Sequence, residues 1–298
     1  MELSVVINTL NEEKNIEKAL KSIKNIADEI VLVDMFSEDN TLSIAKKYNA
    51  RIFSHKKTDY VEPARNYAIE KTLGSWVFVL DADEEITYNL GEKILQIIKD
   101  NGCDFVRIPR KNIIYGKWMK NSRWWPDYNI RLFKKGFVVW GDDIHSIPIT
   151  KGNGLDLPAD EKYALIHHHY DSISQFIERM NRYTSIQAED KIKKGVKFKW
   201  QDLVEKPANE FFSRYYFGKG YRDGLHGLSL SLLQSFSELI LYLKLWEKEK
   251  FDEKSIKLES FDKELWKNIK NLNYWKADSY IKEGGGIIQV FKRKLRLP

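Results

Sequence analysis

Two carboxylates two residues apart, in Asp81-Ala82-Asp83, close the apolar run Trp76-Val77-Phe78-Val79-Leu80. Hard oxygen donors so spaced suit Mg²⁺ or Mn²⁺ bridging phosphate oxygens, and a cation held there stabilises the charge of a departing diphosphate. The bare pattern also fits a solvated acidic turn. Its position at the end of a buried strand is what favours chemistry. Asp34 likewise ends Ile30-Val31-Leu32-Val33, where a carboxylate accepts from a base N–H or a ribose hydroxyl. Asn8-Thr9 follows a third such run, Leu3 to Ile7. Asp39 reads instead as a helix N-cap.

The elements that place these groups alternate. Asn11 is expected to cap a helix with Glu12 and Glu13 in its first turn and Ile16, Leu20 and Ile23 on one face. A second helix opens near Asp39, Arg51-Ile52-Phe53 is another strand, and Pro63 begins a helix that Gly74 ends. Strands alternating with helices predict an α/β domain, with a mainly parallel central sheet covered on both faces. Ligands of such sheets sit at the carboxyl ends of the strands. Thr9, Asp34 and Asp81 all fall on that edge.

Four ordered blocks, residues 4–12, Val33-Asp34, Ala64-Arg65-Asn66 and Leu80-Asp81-Ala82-Asp83, resemble the family 2 glycosyltransferases, which have the GT-A (Rossmann-like) fold. The resemblance implies a donor site of Thr9, Leu10, Asn11, Glu12, Asp34, Arg65, Asp81, Ala82 and Asp83. Within it Thr9, Asn11, Glu12 and Asp34 surround the nucleoside, Arg65 meets the base or diphosphate, and Asp83 holds the metal. Two positions depart from the family pattern: Asn8 stands where Pro is usual, and Met35 where a second Asp is common. Trp125-Pro126-Asp127, Arg131-Leu132-Phe133, His145, His167-His168-His169-Tyr170 and Arg182-Tyr183-Thr184 are similar to the branch that includes lipopolysaccharide-core glucosyltransferases. That implies inverting transfer of a hexose from a nucleotide diphosphate sugar, UDP favoured, to a cell-surface glycan or lipid-linked saccharide. A peptide acceptor keeps the same chemistry.

Inversion needs a base for the acceptor hydroxyl proton. Related enzymes often carry Glu after the His at the position of His145; Ser146 cannot serve here. Asp143 is the first candidate, then Asp142, then Asp127, each of which also fits a hydrated turn. The three histidines follow an apolar run, so alternate rings take opposite faces, and His169 is the one chosen to join Asp83 and Asp81 on the metal. Tyr115, Trp118, Trp124, Trp125 and Tyr128 could line an acceptor site, flat rings matching sugar C–H faces. Trp124, Trp125 and His145 are the acceptor residues expected.

Beyond residue 102 strands continue with aromatic-rich connections, and from Ser172 the chain turns helical. A GT-A catalytic domain is expected over 1–200, with a nucleotide-sugar half at 1–101 and an acceptor half at 102–200. A helical region follows at 201–298. There Leu225, Leu228, Leu232, Phe236, Leu239, Leu243 and Trp246 form one stripe. It packs on the catalytic domain, lies at a membrane surface or joins a homo-oligomer; the residues alone leave these open. His226, Gln234, Glu238 and Lys244 make the segment too polar for an ordinary spanning helix. One cysteine, Cys103, excludes an intrachain disulfide and a cysteine-based zinc cluster. With no basic leader before the first strand, a cytoplasmic protein, peripheral at the membrane face, is the expectation.

The 298 residues carry a formal charge of +6, which favours anionic partners. The basic residues are dispersed among acids rather than striped, so no nucleic-acid partner is expected. A nucleotidyltransferase also holds Mg²⁺ on paired carboxylates, but it brings a Gly-rich basic loop after its first strand. Leu10-Asn11-Glu12-Glu13 is acidic.

Overall fold

Strand β1 (Leu3–Thr9) is buried along its whole length, and successive side chains of a strand point to opposite faces. Val5 and Ile7 therefore enter one apolar cluster and Val6 the other. In β2 (Glu29–Asp34), Leu32 joins the first cluster and Val31 and Val33 the second. Ile16, Leu20 and Ile23 of α1 (Ile16–Ile23) and Ala45 of α2 (Thr41–Lys46) close the first face. After β3 (Arg51–Ser54), Ala64 and Ala68 of α3 (Glu62–Glu70) close the second. Such double-sided burial is why these strands are continuous apolar runs. The structure, a computed structural model, describes residues 1–56, 62–141 and 148–298.

The chain continues through β4 (Trp76–Val79), β5 (Glu84–Ile86), α4 (Tyr88–Asp100), β6 (Phe105–Ile114), β7 (Lys117–Trp118) and β8 (Asp127–Lys134). Then come β9 (Val138–Val139), β10 (Ile149–Thr150), β11 (Gly154–Asp156) and β12 (Leu165–Tyr170). The main sheet runs β3-β2-β1-β4-β8-β6-β12-β5, with β11 beside β6. It is parallel from β3 to β4 and antiparallel at β4/β8, β8/β6 and β12/β5. This is the mixed, GT-A arrangement: a parallel nucleotide-binding half continued by antiparallel strands. Register places Thr9 opposite Asp34 and Val6 opposite Val79. The carboxyl ends of β1, β2 and β4 thus share one edge.

Two units make up the chain: Met1–Ile114 with Trp125–His169, and Tyr115–Trp124 with Tyr170–Pro298. The boundary expected at residue 200 lies inside the second unit. That unit is helical: α5 (Ile173–Lys193), α6 (Asp202–Phe212), α7 (Leu225–Lys248), α8 (Leu258–Lys282) and α9 (Ile287–Leu295).

Four local expectations are corrected. Helix α1 begins at Ile16, not after Asn11, because Asn11 takes a left-handed conformation (φ 56°) and turns to the β2 loop. There its amide donates to Ser37 Oγ at 2.8 Å and its side-chain oxygen accepts from Glu38 N at 2.8 Å. The three histidines lie within β12 rather than after it. In α7 the buried positions are Gly227, Leu230, Ser231, Leu241, Tyr242 and Leu245, whereas Leu225, Leu232 and Phe236 of the expected stripe are exposed. A Cβ on Gly227 would stand 1.9 Å from the Gly220 oxygen, and that close backbone approach turns the small-residue face inward. By length and composition α7 is also apolar enough to cross a membrane, contrary to the reading of its polar interruptions. Here it packs against α5 and α6.

Candidate functional site

At the edge shared by β1 and β2, polar atoms are buried without partners. Among the described residues these include both side-chain polar atoms of Asn8, the Thr9 hydroxyl and one Asp34 carboxylate oxygen. The other Asp34 oxygen accepts from Ser37 N at 3.0 Å. An unmet buried donor or acceptor costs about 1–3 kcal/mol, and native proteins tolerate few. Several on one strand-end edge mark a place for a polar ligand. Asn11 and Glu12, expected beside the nucleoside, also hold the loops of this edge: Glu12 N donates to Thr41 Oγ1 at 2.8 Å. Asp39 is structural, accepting from Thr41 N at 2.9 Å and Glu13 N at 3.0 Å, but the N-cap position of α2 is Asn40, one residue beyond the one expected.

One strand over, the carboxylates past β4 enter a network of charges. Arg65 of α3 meets Asp81 Oδ1 at 2.7 Å, and the same guanidinium lies over the Trp140 ring at 5.3 Å. Asn66 fixes that tryptophan by both of its amide groups, donating to Trp140 O at 2.8 Å and accepting from Trp140 N at 3.1 Å. Arg131 of β8, buried, bridges Asp81 Oδ2 and Glu84 Oε1, each at 2.6 Å. Glu84 Oε2 accepts from Asp81 N at 3.0 Å, which closes the turn of the motif. Burial alone would raise the Asp81 carboxyl, yet Arg131 and Arg65 hold it well below the usual carboxylate range. For Glu84 burial wins: its carboxyl is pushed up against the pull of Arg131, and Asp81 adds to the rise.

The network continues along β6. Arg110 reaches Asp127 at 2.7 Å and Glu84 at 3.5 Å. Asn112 donates to Asp127 at 3.2 Å and its oxygen meets His167 Nδ1 at 2.6 Å. Burial raises the Asp127 carboxyl, but Arg110 and Asn112 outweigh it and hold the group low. A carboxylate so paired is a weak proton acceptor, and Asp127 is placed as a partner of Arg110. Asp142, Asp143 and His145 lie outside the described residues. The i, i+2 spacing of Arg110 and Asn112, which puts both on one face of β6, and Glu84 directly after the acidic pair are the sequence signals for this network.

Asp83 Oδ2 stands 3.6 Å from His167 Nε2, and His169 Nδ1 is 3.2 Å from His167. His168 faces the other way, to Glu85 at 2.9 Å, as alternation requires. Its amide donates to Asp83 O at 2.9 Å and ties β12 to the acidic turn. Among the described residues no group of three or more His, Cys, Asp or Glu is disposed to hold a metal ion. Asp81 does not fit as a ligand in this arrangement, because both of its oxygens are engaged by arginines. Mg²⁺-type ions, however, are commonly held by one or two carboxylates plus substrate phosphates. Asp83, with an imidazole beside it, fits that pattern.

The expected aromatic set divides. Trp124 belongs to the second unit, where the Arg214 guanidinium lies 5.1 Å from its ring, and Trp125 to the first. Tyr128 donates its hydroxyl to Leu157 O at 2.7 Å, a packing role.

The family model described as Glycosyl transferase family 2 matches residues 4–151. An uncharacterized glycosyltransferase of Rickettsia typhi is 30% identical over 255 residues, 82% of this chain and 87% of that protein. The lipopolysaccharide core biosynthesis glycosyltransferase LpsC of Rhizobium meliloti is 25% identical over 257 residues, 83% of this chain and 92% of its own. Among solved structures, S. aureus TarS 1-349 in complex with UDP aligns at 16% identity with a TM-score of 0.44, covering 87% of this chain and 95% of that one.

Proposed function

Since the chain belongs to glycosyl transferase family 2, we propose that it transfers a hexose from a nucleoside diphosphate sugar, UDP favoured, to a hydroxyl of a cell-surface glycan or lipid-linked saccharide, inverting the anomeric carbon. One observation carries this reading: the orphaned polar atoms of Asn8, Thr9 and Asp34 share a sheet edge with Asp81 and Asp83. In parallel α/β sheets that edge is where nucleotides bind. The name of LpsC, a relative over most of its length, favours a lipopolysaccharide-type acceptor.

Asp34 and Thr9 orient the nucleoside by hydrogen bonds made only when it is bound. Arg65, held over Trp140, faces the diphosphate side of the motif. Asp83, with His169 or His167, would hold Mg²⁺ or Mn²⁺, which supplies charge stabilisation to the diphosphate. Glu84 and Arg131 fix the turn that carries Asp83, so its carboxylate needs no reorganisation when the donor arrives. Asp143 takes the acceptor proton.

The test is a panel of sugar nucleotides with Mn²⁺ or Mg²⁺, scored for slow donor hydrolysis and for transfer to a lipopolysaccharide core acceptor. UDP-hexose turnover is expected, and Asp83→Ala is expected to abolish it while the melting temperature stays unchanged. Wild-type turnover in that variant would remove Asp83 from its role, and absence of hydrolysis with every nucleotide sugar would overturn the donor class.

A further inference from the structure

Helix α9 is turned inside out. Its polar side faces the protein: Arg293 pairs with the buried Asp278 of α8 at 2.8 Å, and Asn273 of α8 donates to Arg296 O at 3.1 Å just past the helix end. Its apolar side faces solvent, with Ile287, Ile288, Phe291 and Leu295 each 59–72% exposed. At 100° per residue those four fall on one stripe, the side that a surface helix of a globular protein ordinarily buries. Reversal of that pattern needs an apolar partner outside the chain.

We propose that this face docks in the interface of an anionic lipid bilayer. Residues 287–298 carry Lys292, Arg293, Lys294 and Arg296 and no acidic residue. Asp278 is occupied by Arg293 and Lys282. Among the described residues Lys292 and Lys294 form no ion pair, so their charge is available to lipid phosphates, whereas Arg296 donates to Asn271 Oδ1 at 3.1 Å and lies over the Tyr274 ring. A helix of 9 residues is too short to span a bilayer. Lying in the headgroup plane, it inserts Ile287, Ile288, Phe291 and Leu295 while the basic side chains reach the phosphates. A second copy on the same face would set Lys292, Lys294 and Arg296 against their own counterparts, since a two-fold contact opposes identical patches.

Co-sedimentation of the full chain with phosphatidylcholine vesicles, alone or with about a third phosphatidylglycerol, tests the proposal. Binding is expected on the anionic vesicles, weakening with salt. Ile287→Gln with Phe291→Gln should lower it at least about tenfold without changing the circular dichroism spectrum. Lys292→Gln with Lys294→Gln, which leaves the apolar face intact, should lower it roughly thirtyfold. No binding by wild type, or wild-type binding by the Gln pair at 287 and 291, overturns the proposal. So does a concentration-dependent dimer that this pair dissociates, which would assign the face to a second copy.

Discussion

Removal of Arg131 probes the buried network most directly. Arg131 is 3% exposed and lies between Asp81, 27% exposed, and Glu84, 0% exposed. Arg131→Met keeps the apolar bulk and withdraws the charge. Breaking a buried pair from one side costs about 3–5 kcal/mol, because the remaining charge is left without compensation. Asp81 keeps Arg65 at 2.7 Å and some solvent. Among the described residues Glu84 keeps one arginine, Arg110, at 3.5 Å, and the Asp81 amide at 3.0 Å. The penalty therefore falls mainly on Glu84, and the lower end, about 3 kcal/mol near neutral pH, is the expected loss.

The pH dependence fixes the cause. In the wild type Asp81 is held below its unfolded value, so its contribution is present above about pH 4 and lost only as pH falls through the folded value. Glu84, raised in the folded state, already costs stability as pH climbs above its unfolded value. Without Arg131 both carboxyls move up, and the fold loses stability with rising pH more steeply than wild type. The loss should thus be smaller near pH 5 than near pH 8. Urea unfolding followed by tryptophan fluorescence and circular dichroism at both pH values measures this. Adding Glu84→Gln should recover part of it. A loss under about 1 kcal/mol, or one equal at both pH values, would refute the network as a charge-compensated unit.

Two further perturbations address the nucleoside edge and the helical unit. Asp34→Asn should weaken UDP binding by about tenfold to a hundredfold in calorimetry, the value of one or two charged hydrogen bonds, at unchanged melting temperature; unchanged affinity would take Asp34 out of the site. Gly227→Ala, whose Cβ would stand 1.9 Å from Gly220 O, should lower stability by about 2–3 kcal/mol in urea. A loss under about 0.5 kcal/mol would show that the contact yields readily.

The framework of the site was legible because it depends on local pattern. Short apolar runs ending in Asn8-Thr9, Asp34 and Asp81 announced parallel strands, and parallel pairing then puts Thr9 opposite Asp34. Alternation along His167-His168-His169 also separated their faces correctly, although the strand runs on through them to Tyr170 instead of ending at Ile166. What escaped was set by distant partners. The start of α1 is displaced because Ser37, Glu38 and Thr41, far along the chain, compete for the backbone and side chains of residues 11 and 12. The two arginines on Asp81 come from α3 and β8, 16 and 50 residues away. No spacing near Asp81 announces them. The inward face of α7 was missed for a related reason: hydrophobic periodicity marks large side chains, and here the close approach is made by glycine and serine.

The edge thus has two halves prepared in opposite ways. At Asn8, Thr9 and Asp34 the fold leaves polar atoms unmet, so hydrogen bonds from a nucleoside are gained without breaking protein ones. At Asp81 every strong site is already filled by arginine, and a diphosphate brought there meets cations whose charge is partly spent. The first half can therefore supply affinity, while the second resists free anions that lack a base and ribose. For the nucleoside diphosphate donor proposed above, such a division would give discrimination from inorganic phosphate through differential binding rather than through pocket size. It assigns Arg131, which contacts the motif from within the sheet, to holding the turn in place before any ligand arrives.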